Sequence, residues 1–466
     1  MSVKYTKIAI VAASALFCAC KSTKMYEVPR EVRPFRGKTI TAPPGMVYVP
    51  AGEIYEKSSI KDSTAIDSLS QRRVSLTAFF IDATEVSNKQ YRRFVDWVAD
   101  SIAVTDFIKD PKYFYDAKVK SKTGGKGGKD STVHRINWSR ININSKVPLW
   151  LSTDGNISSK LTGLVLQSGG KRILNRDLVK FTYVHVQAGG PNDGKSVTDT
   201  IKVMPDNNVW AEDFPNSQSD IYVNNYFTNK AFDSYPVVGV NWKQARAYAN
   251  WRSIIPGSQD ENLKDFGLRF NLPTEAQWEY AASGGENNSE TVVGNVAAVT
   301  TINVVPSYVN KKSKKNLPIA NFKQGEGNYT KDGATYTLPV KSYAPNQFGI
   351  YNMEGNVAEW TLDAYSPSAR EFVDDLNPVL LFDAPDNDVD VMKRKVVRGG
   401  SWKDNAGDLN TATRNYETQG VSHSYIGFRC VMLAPDLLTD QVRTRSMIKP
   451  PKKSSKKTPK LTASTN

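Results

Sequence analysis

The chain has 466 residues, with 61 Lys and Arg against 47 Asp and Glu, and three cysteines. Its formal charge of +14 sits at the ends: Gln441 to Asn466 carries +8, Lys21 to Ile40 +4 and the first twenty residues +2, which leaves residues 41–440 neutral. A neutral body excludes a nucleic-acid-binding one, because phosphate recognition needs a basic face, and the cysteine count excludes a fold stapled by internal disulfides.

Lys4 and Lys7 precede the apolar run Ile8 to Ala19, twelve residues long. That is short of the roughly 20 residues a membrane-crossing helix needs, and it suits a signal peptide over residues 1–19. The run ends Leu16-Phe17-Cys18-Ala19-Cys20, like a lipobox cleaved before Cys20, whose thiol is then lipidated. An ordinary cleaved signal is the alternative. Several acyl chains would hold the protein stably on a membrane. The basic Lys21-Ser22-Thr23-Lys24 is unlike the acidic export signals of surface lipoproteins and points to the periplasmic leaflet.

A basic linker, residues 20–44, leads to a strand-like segment at Gly45 to Ile54 and a second strand at Val74 to Ile81. Ser87 is placed to cap a helix over Asn88 to Ser101, with Tyr91, Phe94, Val95 and Val98 on one face. Residues 103–231 change character: a Gly/Lys stretch at Thr123 to Lys129, short alternating segments and polar turns read as a β- and loop-rich insertion. Regular patterns return with a strand at Tyr235 to Val240. A helix follows over Trp242 to Arg252, capped by Asn241, with Trp242, Ala245, Ala249 and Trp251 inward. Thr274 and Gln277 form a capping box for a third helix, Glu275 to Ala282. From there to Cys430 turns dominate, which predicts an α+β domain with long irregular loops. The tail, residues 434–466, is rich in Lys, Pro, Ser and Thr and reads as disordered. It is either a solvated tail or an electrostatic contact for anionic lipid, cell-wall polymer or an acidic partner.

Gly189-x-x-x-x-Gly194-Lys195-Ser196 satisfies the phosphate-loop pattern in letters only. That motif needs a helix after it, whereas Val197 to Val203 alternates like a strand, so the segment reads as a hairpin. The three histidines, His134, His185 and His423, stand in no metal-ligand spacing, which leaves no imidazole set for zinc, iron or copper. Carboxylates are plentiful and sequence does not pair them, so a carboxylate-based hydrolase stays open.

Seven segments in order carry a resemblance: Gly45-Met46-Val47-Tyr48-Val49-Pro50-Ala51-Gly52; Phe80-Ile81-Asp82-Ala83-Thr84-Glu85-Val86-Ser87-Asn88; Tyr235 to Trp242; Leu272-Pro273-Thr274-Glu275-Ala276-Gln277-Trp278-Glu279-Tyr280; Phe348 to Trp360; Arg398-Gly399-Gly400-Ser401-Trp402; and Gly427-Phe428-Arg429-Cys430. Together they resemble the sulfatase-modifying-factor domain of formylglycine-generating enzymes, over 45–102 and 232–433. The resemblance implies a C-type-lectin-like α+β fold with sparse secondary structure.

Those enzymes hold copper with two cysteines after the Arg-Gly-Gly-Ser segment. Asp404 and Leu409 stand at the matching positions here, so the resemblance implies a catalytically dead relative without copper. The iron-using relatives need three histidines in motif positions, which are missing too. The family's calcium ligands map onto Asn352 and Glu359 by side chain and Gly355 and Val357 by backbone oxygen. A second calcium set maps onto Asn321, the backbone of Phe322, and Asp332. Hard oxygens suit a structural Ca2+; loops tied by Asn and Glu hydrogen bonds are the alternative.

The insertion narrows the match. Asp96-Trp97-Val98, Ile136-Asn137-Trp138, Trp210-x-x-Asp213-Phe214 and Ala231-Phe232-Asp233 resemble the gliding-motility and type IX secretion lipoproteins of the GldK/PorK type. That resemblance implies an outer-membrane lipoprotein facing the periplasm, self-associating into a ring with a GldN/PorN-type partner and lying near peptidoglycan. The GldJ-type lipoprotein is the near alternative. An enzyme in the old cleft is a rival. So is a lectin-like glycan- or peptidoglycan-binding module using Trp360, Tyr365 and Trp402.

Overall fold

In the computed structural model the described residues are 31–32, 40–56, 72–119, 131–141, 147–215, 220–264, 266–285, 307–309, 316–318, 320–323 and 334–435. The signal segment, Cys20, Asp332 and the basic tail lie outside them.

Among the described residues three helices exceed two turns, and each opens with a reciprocal cap. Ser87 pairs with Gln90 on α1 (Asn88–Ile102), Asn241 with Gln244 on α2 (Trp242–Ile254), and Thr274 with Gln277 on α3 (Glu275–Ala282). Each box satisfies two backbone donors that a helix start leaves orphaned. On α1, Tyr91, Phe94, Val95 and Val98 are all buried. Tyr91 stacks on Tyr248 of α2 at 5.6 Å, and Phe94 meets Trp251 at 5.2 Å.

Among the described residues there are two four-stranded sheets. In the first, antiparallel sheet the order is Phe270–Asn271, Val431–Leu433, Phe79–Asp82, Met46–Val49. The first and last strands of the matched region thus lie on either side of Phe79–Asp82, and a long chain closes on itself. The second sheet runs Asn415–Thr418, Arg394–Arg398, Ala358–Ala364, Ile426–Gly427, with the last pair parallel. The helix and strand content is mixed, as an α+β class requires.

Three expected strands need correction. Gly45 to Ile54 is two strands, Met46–Val49 in the main sheet and Gly52–Glu56 outside it. Val74 to Ile81 is two strands, Arg72–Leu76 and Phe79–Asp82. The first pairs with Gly52–Glu56 and the second joins the main sheet, so the chain must step between sheets at Thr77 and Ala78. Tyr235 to Val240 is no strand. Its one bridge is Ser87 to Pro236, and Val237 N and Gly239 N bond to loop carbonyls of Val86 and His423. A buried apolar run satisfied by loops carries the same letters as a buried strand.

Among its described residues the inserted region holds three antiparallel strand pairs: Phe114–Val119 with Ser131–Ile136, Val165–Ser168 with Lys171–Leu174, and Lys180–Val186 with Ser196–Lys202. The last of these contains the phosphate-loop letters, read above as a hairpin. The expected start at 103 falls inside a continuous helical run, because α1 continues as a wider π-type turn over Ala103–Ile108 and stops at Lys109, φ 51°. The insertion shares the main core. Phe181 packs edge-on against Phe94 at 5.4 Å, and Trp138 stacks on Trp97 at 4.6 Å. Asp100 on α1 accepts from Trp150 N at 2.9 Å and Leu149 N at 3.0 Å, while Asp96 accepts from Trp150 Nε1 at 3.0 Å. Each large apolar side chain buried this way contributes about 1.5–3 kcal/mol.

Candidate functional site

The turn from Asn352 to Glu359 is forced by backbone conformation. Asn352, Gly355 and Asn356 all have positive φ, at 51°, 79° and 62°, a region that Asn and Gly tolerate best. At Gly355 a Cβ would stand 2.4 Å from Asn321 O and 2.8 Å from Leu409 Cδ2, so no larger residue fits.

This turn encloses a buried polar knot. Asn352 Nδ2 donates to both carboxylate oxygens of Glu85, at 3.0 and 3.1 Å, and Asn356 Nδ2 donates to Glu85 Oε1 at 2.8 Å. Glu85 is fully buried. Burial pushes its carboxyl up to about 7, with Glu359 adding to the rise and Arg429 opposing it. Asn321 Nδ2 donates to Tyr336 O at 2.9 Å and to Asn356 Oδ1 at 3.2 Å, and Asn356 N donates to Asn321 O at 2.8 Å. Asn352 and Asn321, expected from sequence in two separate calcium sites, are therefore joined through Glu85 and Asn356 into one network.

The ligand candidates divide. Asn352 Oδ1 is buried and makes no hydrogen bond, which is the state of an oxygen fit for a hard cation. Glu359 is placed differently from the expectation. Arg429 grips it from two nitrogens, at 2.7 and 2.6 Å, and Trp278 Nε1 donates to it at 2.8 Å. A carboxylate so engaged belongs to an ion pair. The carboxylate that faces Asn352 is Glu85, which the sequence reading passed over. Its one signal was an acid inside the apolar approach to a helix cap. Asn321 spends its amide nitrogen within the knot, and Phe322 is buried. Among the described residues no three His, Cys, Asp or Glu side chains cluster closely enough to hold a metal ion.

Beside the knot lie Asp404 and Leu409, the two positions at which the resemblance implied copper cysteines. Asp404 accepts from Ser401 Oγ at 2.6 Å and Lys403 Nζ at 2.7 Å. Leu409 is buried with Ala320 and Phe322. Lys323 N donates to Asp404 O at 2.9 Å, which ties this segment to the residues that follow Asn321. Cys430 is far in kind from a metal thiolate. It is fully buried, and burial together with the Asp82 carboxylate pushes its thiol well above the usual range.

The insertion packs over Trp402 at the start of this segment. Trp402 stacks on Trp210 at 6.2 Å and meets Phe214 at 5.0 Å and Tyr336 at 5.1 Å. Trp402 and Trp360 are 2% and 0% exposed, and their ring nitrogens bond to the carbonyls of Ser424 and Val240. Neither is available to a glycan, which corrects the expectation that Trp360, Tyr365 and Trp402 line a binding cleft. Tyr365 is half-buried against Tyr416. The cover is pinned by His423, whose Nδ1 stands 2.7 Å from Asp213 Oδ1 and Nε2 3.0 Å from Glu417 Oε2. Ser424 N and Oγ donate to Asp213 Oδ2 at 2.7 and 2.8 Å. Against the cost of burial, the two carboxylates push His423 up to about 9. His134 pairs with Asp116, and His185 lies between Asp199, 2.9 Å from Nε2, and Asp383, 3.9 Å from Nδ1.

An open cleft of about 660 Å³ is lined by Tyr48, Thr84, Ser87, Lys89, Asp233 and Lys341 among others. Among the described residues that line it, none is a nucleophile paired with a base.

Residues 33–434 match the family described as the Sulfatase-modifying factor enzyme 1-like domain. The chain is 33% identical over 204 residues to the formylglycine-generating enzyme of Bos taurus, covering 42% of this chain and 43% of that protein. It is 31% identical over 202 residues to the inactive C-alpha-formylglycine-generating enzyme 2 of Bos taurus, covering 42% and 50%. It is 34% identical over 199 residues to the serine/threonine-protein kinase pkn1 of Chlamydia pneumoniae, covering 43% and 24%. The chain thus spans between a quarter and a half of the length of these relatives.

Proposed function

The chain belongs to the sulfatase-modifying factor enzyme 1-like family, and from that premise we propose that it is a non-catalytic structural protein. The observation that carries this reading is the chemistry at Asp404 and Leu409. One is an oxygen ligand already bonded to Ser401 and Lys403, the other an apolar side chain packed on Phe322. Copper oxidation chemistry asks for soft thiolates, and the remaining Cys430 thiol is buried. A relative that is itself described as inactive supports the same reading. The aromatic cover over Trp402 suits a cleft given over to packing.

The finer reading rests on the sequence. The protein is a lipoprotein anchored by Cys20 in the outer membrane and facing the periplasm. It is a ring-forming component of a type IX secretion and gliding apparatus of the GldK/PorK type, assembling with a GldN/PorN-type partner near peptidoglycan. Its domain has the C-type-lectin-like α+β architecture of the family, with a structural Ca2+ near Asn352. Purified protein loaded with copper and offered a cysteine-bearing sulfatase peptide should leave the cysteine unconverted. Copper-dependent conversion to formylglycine would contradict the non-catalytic reading. Replacing Cys20 by Ser should move the protein out of membrane fractions; unchanged fractionation would contradict the anchor.

A further inference from the structure

Phe372 and Leu376 are among the most exposed large apolar side chains, at 74% and 62%. They stand in the segment Glu371-Phe372-Val373-Asp374-Asp375-Leu376, whose three acids are also exposed. The segment has a held shape. Arg72 Nη1 donates to Arg370 O at 2.6 Å and its Nε to Asp375 Oδ1 at 2.6 Å. Ser75 N donates to Asp375 O at 2.8 Å, and Asn377 N to Ser75 O at 2.8 Å. Arg72 offsets one of the three carboxylates, which leaves a small apolar surface framed by acid.

The C-terminal end of the described chain emerges beside it. Ala434 N donates to Ala78 O at 3.0 Å, and Thr77 N, one residue back, donates to Asn377 Oδ1 at 2.8 Å. The sequence that follows Pro435 includes Val442-Arg443-Thr444-Arg445-Ser446-Met447-Ile448-Lys449, in which basic and apolar residues interleave, and residues 441–466 carry eight cations and no acid. Arg443 is eight residues beyond Pro435, a reach of about 26 Å when extended, ample for a surface that starts at Asn377. The segment 57–71 also adjoins Arg72, but its two lysines and two aspartates cancel, so it lacks the complementary charge.

We propose that the Glu371–Leu376 surface is the docking site of the chain's own basic segment 441–449, with Phe372 and Leu376 against its apolar residues and Glu371 and Asp374 against its cations. Individual exposed ion pairs are weak and screened by salt. A tether raises the local concentration to the millimolar range, so a modest contact suffices in cis.

Carbodiimide cross-linking of the full chain tests this directly, because it joins lysine amines to carboxylates in contact. Expected are intramolecular links from Lys449 or Lys452 to Glu371 or Asp374. They should be lost in 0.5 M salt and in the double variant Glu371→Gln/Asp374→Asn, whose surface substitutions leave the fold intact. Hydrogen exchange at 369–378 should rise several-fold in a chain stopped after Asp440. Tail lysines linked only to other carboxylates, links found only between two copies, or exchange unchanged by the truncation would each overturn the proposal.

Discussion

His423 Nδ1 lies 2.7 Å from Asp213 Oδ1, a contact that spans 210 residues of sequence and fastens the insertion to the C-terminal part of the domain. The same imidazole reaches Glu417, so it holds two carboxylates at once and is charged at neutral pH.

That latch has a pH signature. His423 titrates at about 9 in the folded protein against an ordinary 6.5. Its raised value means the stabilisation is fully present below pH 6.5 and lost as pH rises through about 9. His423→Gln should therefore cost about 1–2 kcal/mol at pH 6, allowing for solvent screening at a partly exposed site. The gap should close near pH 10. Denaturant unfolding of both proteins at the two pH values measures this, and a constant gap would deny the latch.

Glu85 should respond differently. Its folded value of about 7 lies above the ordinary 4.5, so its contribution is present below pH 4.5 and fades as pH rises through about 7. In chelator, Glu85→Gln should flatten that decline and gain on the order of 2 kcal/mol at pH 8. If the decline persists in the variant, the buried carboxylate is not its source.

A structural cation near Asn352 would reverse the sign for Glu85. With calcium present, the melting temperature should rise, since a ligand bound only to the native state stabilises it. Asn352→Ala and Glu85→Gln should each abolish the rise. Glu359→Ala is the wrong probe: it strands the buried Arg429 guanidinium, at a cost of about 3–5 kcal/mol, whatever the metal. Melting unaffected by calcium in the parent protein would remove the site.

Cys430 should be inert in the native state. It is fully buried, and only a thiolate reacts. Iodoacetamide should label Cys430 in urea and not in buffer. Labelling of native protein at a rate near that of a free thiol would contradict the burial.

The helices were readable because their signals are local: the caps Ser87, Asn241 and Thr274 each act within one turn, and the Tyr91, Phe94, Val98 face repeats over about two. The candidate site was readable only as separate pieces. Asn321, Asn356 and Glu85 are joined by contacts that span 35 and 271 residues, and nothing local in a sequence encodes such a meeting. The pairing of Glu359 with Arg429 was hidden for the same reason. Both letters were quoted in motifs, but their mutual neutralisation is a tertiary fact. The insertion's departure from the surrounding pattern was visible; its sharing of the core through Phe181, Trp138 and Trp150 was not, because aromatic residues in short alternating segments fit a separate lobe equally well.

That shared core bears on how the structural role is probed. Cutting out 103–231 would expose Phe94, Trp97 and Trp251, so loss of assembly after such a deletion would report unfolding. The direct measurement is recovery of the intact protein from detergent-treated envelopes, followed by sizing and identification of what accompanies it. A ring-forming scaffold should emerge in a large assembly with a GldN/PorN-type partner in fixed proportion. Recovery as a lone monomer at native abundance, with no partner, would contradict the structural role.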